Sequence, residues 1–243
     1  MKKIVTSVLL ALLAGPLFAA DPAPKDQVVG AAKKLGDQPN YSWKEVVVVP
    51  DSSPFKPGPT EGKLEKGGVT YFTMSFGDNT TKIYLKGDKS AISNPDGGWQ
   101  SASEMESDEG PGRFMGMMVH SFKAPAAQVE ELAGSVKELT QDGDTLSGDM
   151  TEDGIKSQFR FGTLTDAKGS VKFWIKDGQL AKYEFKLAGK ANFNGNDVDV
   201  DRDTTIEITD VGATKIDVPA AAKAKLEPAP AAAATATNAP AAK

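Results

Sequence analysis

From Val171 onward the chain places an apolar side chain at every second position. Val171, Phe173 and Ile175 are followed by Tyr183, Phe185 and Leu187, and then by Ile206 and Ile208. Successive side chains on a strand point to opposite faces, so this pattern buries one face and leaves the other wet. Several such runs predict an antiparallel sheet with one covered face. Phe159 and Phe161 are read as its first alternating pair. Asp177-Gly178 has the composition of a two-residue hairpin turn. That loop would pair Phe173 with Lys182 and Lys172 with Tyr183, mixing apolar and charged groups on each face. An odd offset restores the match, which predicts a three-residue loop with Gly178 left-handed and a bulge of the G1 type.

The first half is less regular. Val28, Ala31, Ala32 and Leu35 fall on one helical face, and Gly36 is a suitable stop. Tyr41 to Val49 is aromatic and β-branched and predicts a strand. Residues 50–62 carry four prolines and read as a loop. In Val69 to Phe76, Val69 and Tyr71 point one way and Phe72, Met74 and Phe76 the other, so this strand needs cover on both sides. Residues 82–85 and 89–93 form a hairpin signal, and a turn at 94–98 precedes Trp99.

Between them, residues 101–134 turn helical. Phe114, Met117, Met118 and Phe122 make a stripe at i, i+3, i+4 and i+8. Pro125 opens a second helix with Val129, Leu132 and Ala133 on its apolar side, and Gly134 ends it. The order is a helix, about four strands, two helices, and about five strands. Few helices for so much sheet predicts an α+β fold: a strongly curved antiparallel sheet, or open half-barrel, with helices on its concave face.

The ends differ from the middle. Residues 1–20 have a positive start (Lys2, Lys3), an apolar stretch from Ile4 to Leu13, and small residues at Ala19 and Ala20. This is the pattern of a cleaved signal peptide, too short to span a bilayer, and no other segment is long and apolar enough. The expected product is periplasmic or otherwise secreted, and soluble once the leader is removed, with a domain over 21–226. Residues 227–243 are rich in Ala and Pro with no aromatic or branched aliphatic residue, so they predict a disordered tail.

Composition removes several function classes. The chain has no cysteine and one histidine, which excludes disulfides, thiolate chemistry and multi-histidine zinc sites. Its net charge of −5, or −7 without Lys2 and Lys3, argues against nucleic acid. No cofactor motif is found: the glycines of residues 110–116 are misspaced for a dinucleotide loop. His120 and Ser121 are neighbours whose side chains diverge on a helix, and His120 reads as solvated or half-buried. Glu104, Glu106, Asp108 and Glu109 read as a solvated loop. Asp197, Asp199, Asp201 and Asp203 share one strand face. They read as the wet side of an exposed strand; a calcium site would need a partner loop to converge their oxygens.

The chain resembles the superfamily of periplasmic lipoprotein carriers and lipid-binding lipoproteins typified by LolA, LolB and LppX. The resemblance is carried by the helix from Lys25 to Leu35, by Gly97-Gly98-Trp99, by the alternating run from Val171 to Phe185, and by Thr214 to Leu226. It implies a half-barrel with helices plugging its mouth, a cavity for acyl chains, and no catalytic motif. The lipobox cysteine of the anchored branches is missing here.

The leading expectation is a non-enzymatic protein that binds a lipid, a lipoprotein acyl chain or a similar amphiphile. Its hydrophobic site would be a lid of Phe114, Met117, Met118 and Phe122 over a cavity lined by Phe173, Tyr183, Phe185, Ile206 and Ile208. Methionine suits such an adaptable surface; the alternative for the same stripe is plain core. A structural or interaction module of the envelope with a filled core is the second expectation. A carboxylate-dependent envelope enzyme is the third. An empty apolar cavity favours the first, a filled core the second, and two converging carboxyls the third.

Overall fold

A computed structural model describes residues 22–53, 56–107, 111–159, 164–193 and 196–227. Residues 1–20, Asp108, Glu109, Phe161 and nearly all of the Ala/Pro-rich tail lie outside them, so the expectations made there are not addressed.

The elements are α1 (Pro24–Gly36), β1 (Asn40–Val48), β2 (Thr60–Glu65), β3 (Thr70–Phe76), β4 (Asn79–Lys86), β5 (Lys89–Ser93) and β6 (Trp99–Gln100). Then come α2 (Ala102–Ser107), α3 (Pro111–His120), α4 (Pro125–Gly134), β7 (Thr140–Asp142), β8 (Thr145–Asp149) and α5 (Glu152–Gln158). Last are β9 (Leu164–Lys176), β10 (Gln179–Phe193), β11 (Asn196–Thr209) and α6 (Ala220–Leu226). The eleven strands form one antiparallel sheet in the order β6-β5-β4-β3-β2-β1-β11-β10-β9-β8-β7. It is a curved half-barrel, open between its two edges. Every join but one is between sequence neighbours; β1 and β11 meet at the centre, with Trp43 opposite Ile208.

The alternating runs behave as expected. Val171, Phe173, Ile175, Tyr183, Phe185, Leu187 and Ile206 are all buried on the concave face. Val28, Ala31, Ala32 and Leu35 of α1 pack into the same core, as do Val129, Leu132 and Ala133 of α4. Pro125 takes the first turn of α4. The two-sided strand β3 receives cover on both faces: Phe72 and Met74 join the concave core, while Val69 and Tyr71 join a second cluster with Tyr84, Trp99, Ala222 and Leu226. The second cover is the C-terminal strap. It starts at Thr214, whose hydroxyl meets that of Ser42 at 2.7 Å, and ends in α6.

Five expectations need correction. Residues 60–62 are not loop but the start of β2; prolines upstream and a glycine within masked its strand character. Residues 101–134 hold three helices, not two, because α2 precedes α3. Phe159 does not open a strand but follows α5, whose Thr151 N-cap accepts a hydrogen bond from the Gly154 amide. Not every helix lies on the concave face, since α6 packs outside against β4, β5 and β6. Finally, Asp177 and Gly178 form a two-residue turn with φ of 52° and 68°, closing Lys176 onto Gln179. The odd offset comes instead from a bulge between Leu180 and Lys182, after which Phe173 stands opposite Tyr183. Facing apolar residues fixed the register, and the extra residue was absorbed in the strand rather than in the turn.

Candidate functional site

The concave face divides into a filled end and a half-open end. At the filled end α1 packs on β9 and β10 and against α4, and Phe173, Tyr183, Phe185 and Ile206 are buried on the sheet. The Tyr183 hydroxyl donates to Gln128 Oε1 of α4 at 2.6 Å, and burial pushes its pKa well up. Tyr41 is wholly buried in the same core, and burial raises its hydroxyl to about 12. Four of the five expected cavity-lining residues are therefore buried, Tyr183 among them bonded to α4; Ile208 alone is half-buried.

The expected stripe splits: α3 ends at His120, so Phe122 lies past the helix rather than on it. Phe122 stacks on Phe72 at 4.1 Å and on Trp43 at 6.1 Å, both beneath it on the sheet. Val119 is buried, and Met115 packs partly against the core. Phe114 and Met117 point outward and are 40% and 48% exposed, with Met118 half-buried between. Thus α3 leans on its Met115–Val119 side, Phe122 anchors the chain just beyond it, and Phe114 and Met117 stay partly exposed.

Toward the half-open end several inner positions of the central strands are only partly covered, although Trp43, Thr204 and Ile206 are buried. Along β1 the inward side chains run Trp43, Glu45, Val47; along β11 they run Val200, Arg202, Thr204, Ile206. Val47, Val200 and, on β3, Met74 are only half-buried despite facing inward. Among them stands a charged pair. Arg202 reaches along β11 so that its Nε donates to Thr204 Oγ1 at 3.1 Å, and its Nη2 lies 3.8 Å from Glu45 Oε1. Burial pushes the Glu45 carboxyl up while Arg202 pulls it down; burial likewise lowers the Arg202 guanidinium against the pull of Glu45. Sequence reading missed this pair, although a signal was present: Glu45 and Arg202 occupy inward positions in runs otherwise apolar or small.

A separate cleft of about 990 Å³ lies where α5 meets β8 and β9. Met150, Ile155 and Leu164 form its apolar wall, and Lys137, Glu152 and Lys168 belong to its polar lining. None of the nine expected site residues lines it.

The remaining polar candidates are engaged or exposed. Glu104 and Glu106 belong to α2 rather than to a loop. Glu104 accepts from Lys225 of α6 at 2.8 Å, and Glu106 pairs with His120 Nδ1 at 2.5 Å. Asp197, Asp199 and Asp201 are exposed on the outer face; Asn192 donates to Asp197, and Lys186 pairs with Asp203. Among the described residues no three of His, Cys, Asp and Glu stand close enough to hold a metal ion. Among them, too, no helix is long and apolar enough to cross a membrane.

No protein-family model matches this sequence, and no curated protein does so. Solved structures do. The lipoprotein LppX of Mycobacterium tuberculosis superposes with a TM-score of 0.51 at 11% identity, over 82% of this chain and all of that one. LprF of Mycobacterium bovis superposes with a TM-score of 0.45 at 14% identity, over 82% of this chain and 97% of the other. At such identity the likeness to LppX is one of fold: this chain has the LppX-like half-barrel.

Proposed function

We propose that this protein binds the acyl chain of a lipid, lipoprotein or similar amphiphile at the half-open end of its concave face, as a non-enzymatic envelope protein. One observation carries the reading. Val47 and Val200 sit at inward positions of the two central strands, where a filled core would bury them, yet they are only half-buried. Met74 lies on the same face, and Phe114 and Met117 of α3 are partly exposed. Each methylene buried there contributes about 0.8 kcal/mol, so a single long chain binds firmly without covalent attachment. The leader-like residues 1–20 and the resemblance to lipoprotein carriers support an envelope role.

A second reading, a structural module with its own side chains as filling, is favoured by one fact: Phe173, Tyr183, Phe185 and Ile206 are already buried. The two readings separate in a titration with a fluorescent long-chain acyl probe. The carrier reading expects saturable binding at about one probe per chain, weakened by Val200→Asn in a variant that melts like the parent. Absence of saturable binding leaves the structural module.

A further inference from the structure

We propose that Arg202 receives the anionic head, a carboxylate or a phosphate, of an amphiphile that enters the concave face head-first. This rests on the acyl-binding reading above and adds the chemical class of the cargo. Arg202 stands at the boundary between the two ends of the face. Its partner across β10 is Leu187 and the next inward pair is Thr204 with Phe185, all three of these buried. On its other side comes Val200, only half-buried, while Val47 stands opposite Thr204 on β1 and is half-buried too. The guanidinium reaches from there toward Thr204 and Glu45, inward of Val200, so it lies on the floor of the half-open region rather than on its rim.

Three features fit an anion receptor. The hydrogen bond from Nε to Thr204 Oγ1 fixes the plane of the guanidinium. Glu45, at 3.8 Å, is beyond hydrogen-bonding distance, so it balances the charge without occupying the N–H fork. That fork matches the paired oxygens of a carboxylate or phosphate. Both side chains also remain reachable, with 31% and 28% of their surfaces accessible although they face inward on central strands. A cation so placed gains little from a neutral head and much from an anionic one, because hydrogen bonds to charged groups are the stronger kind.

The test compares a fluorescent long-chain carboxylic acid with its methyl ester. The parent protein should bind the acid about tenfold more tightly than the ester, and Arg202→Met should bind both alike, with ester affinity unchanged. The double variant Glu45→Gln/Arg202→Met removes both charges, guards against misfolding, and should also lose the preference. Competition by lysophosphatidic acid more effective than by a free fatty acid would assign the head as a phosphate; the reverse order would assign a carboxylate. Equal affinity of the parent for acid and ester, or an acid preference that survives in both variants, would overturn the role of Arg202 while leaving acyl binding standing. If the parent binds neither probe, acyl binding falls and the role of Arg202 falls with it.

Discussion

Trp43 lies flat across Gly62. A Cβ on Gly62 would fall 2.0 Å from the indole Cε2 and Cζ2 atoms, so the residue opposite this tryptophan has no room for a side chain. On the same face Phe122 stacks against both Trp43 and Phe72, tying the end of α3 to the sheet. Gly62→Ala must therefore push the indole toward Phe122. Overpacking of this kind costs about 1–3 kcal/mol, read as a lowered midpoint in chemical denaturation. A midpoint equal to the parent's would mean that the indole moves freely, and that α3 is not anchored through it.

The split of the α3 stripe gives paired expectations. Phe122→Ala removes a ring stacked between two others and should cost about 2–4 kcal/mol, near the lower range for buried aromatics because Phe122 is only partly covered. Met117→Gln alters a side chain that is 48% exposed and should change stability by less than about 0.5 kcal/mol. The same Met117 variant should weaken binding of an acyl probe if α3 closes over the cargo. Equal stability losses for the two variants would place Met117 in the core instead.

Glu104 of α2 and Lys225 of α6 reach each other around the β6 edge, α2 lying inside the sheet and α6 outside. The hydrogen bond from Lys225, then that from the Ser101 amide, hold the Glu104 carboxyl below its ordinary value of 4.5. A carboxyl whose folded pKa is lowered stabilises the fold above its unfolded pKa, and that contribution is lost as pH falls through the lower folded value. Half of the Glu104 side chain is exposed, so the pair contributes about 0.2–1 kcal/mol at most. Lys225→Ala should lower the unfolding midpoint slightly at neutral pH, and the difference from the parent should close in acid. A gap that widens on acidification would contradict this arrangement.

Periodicity carried most of the fold, because the alternating runs from Val171 onward had a face to bury, whereas Phe159 follows a helix. The register of Phe173 against Tyr183 was legible for the same reason, while the device that produced it was not: Ala181 is small and exposed, and nothing in its type marks a bulge. Strand β2 was hidden because Gly62, needed under Trp43, is a residue that strands otherwise avoid. The site was less legible than the fold. Spacing placed Phe114, Met117, Met118 and Phe122 on one stripe, but did not say which edge of the stripe meets the sheet, and Val119 and Phe122 decided that by packing. The strand aromatics share one face of the sheet, yet sequence does not reveal that α1 packs on β9 and β10 and that Phe173, Tyr183 and Phe185 are buried there. Glu45 and Arg202 could have been found by asking which inward positions carry charge.

The central claim is that the half-open end of the concave face takes up an amphiphile, and native mass spectrometry of the protein purified from its own cell envelope tests it most directly. The account predicts a population heavier than the bare chain by the mass of one lipid-like molecule, removed by extraction with organic solvent and diminished in Val200→Asn. The bare mass alone, in every charge state and under the gentlest ionisation, would contradict it.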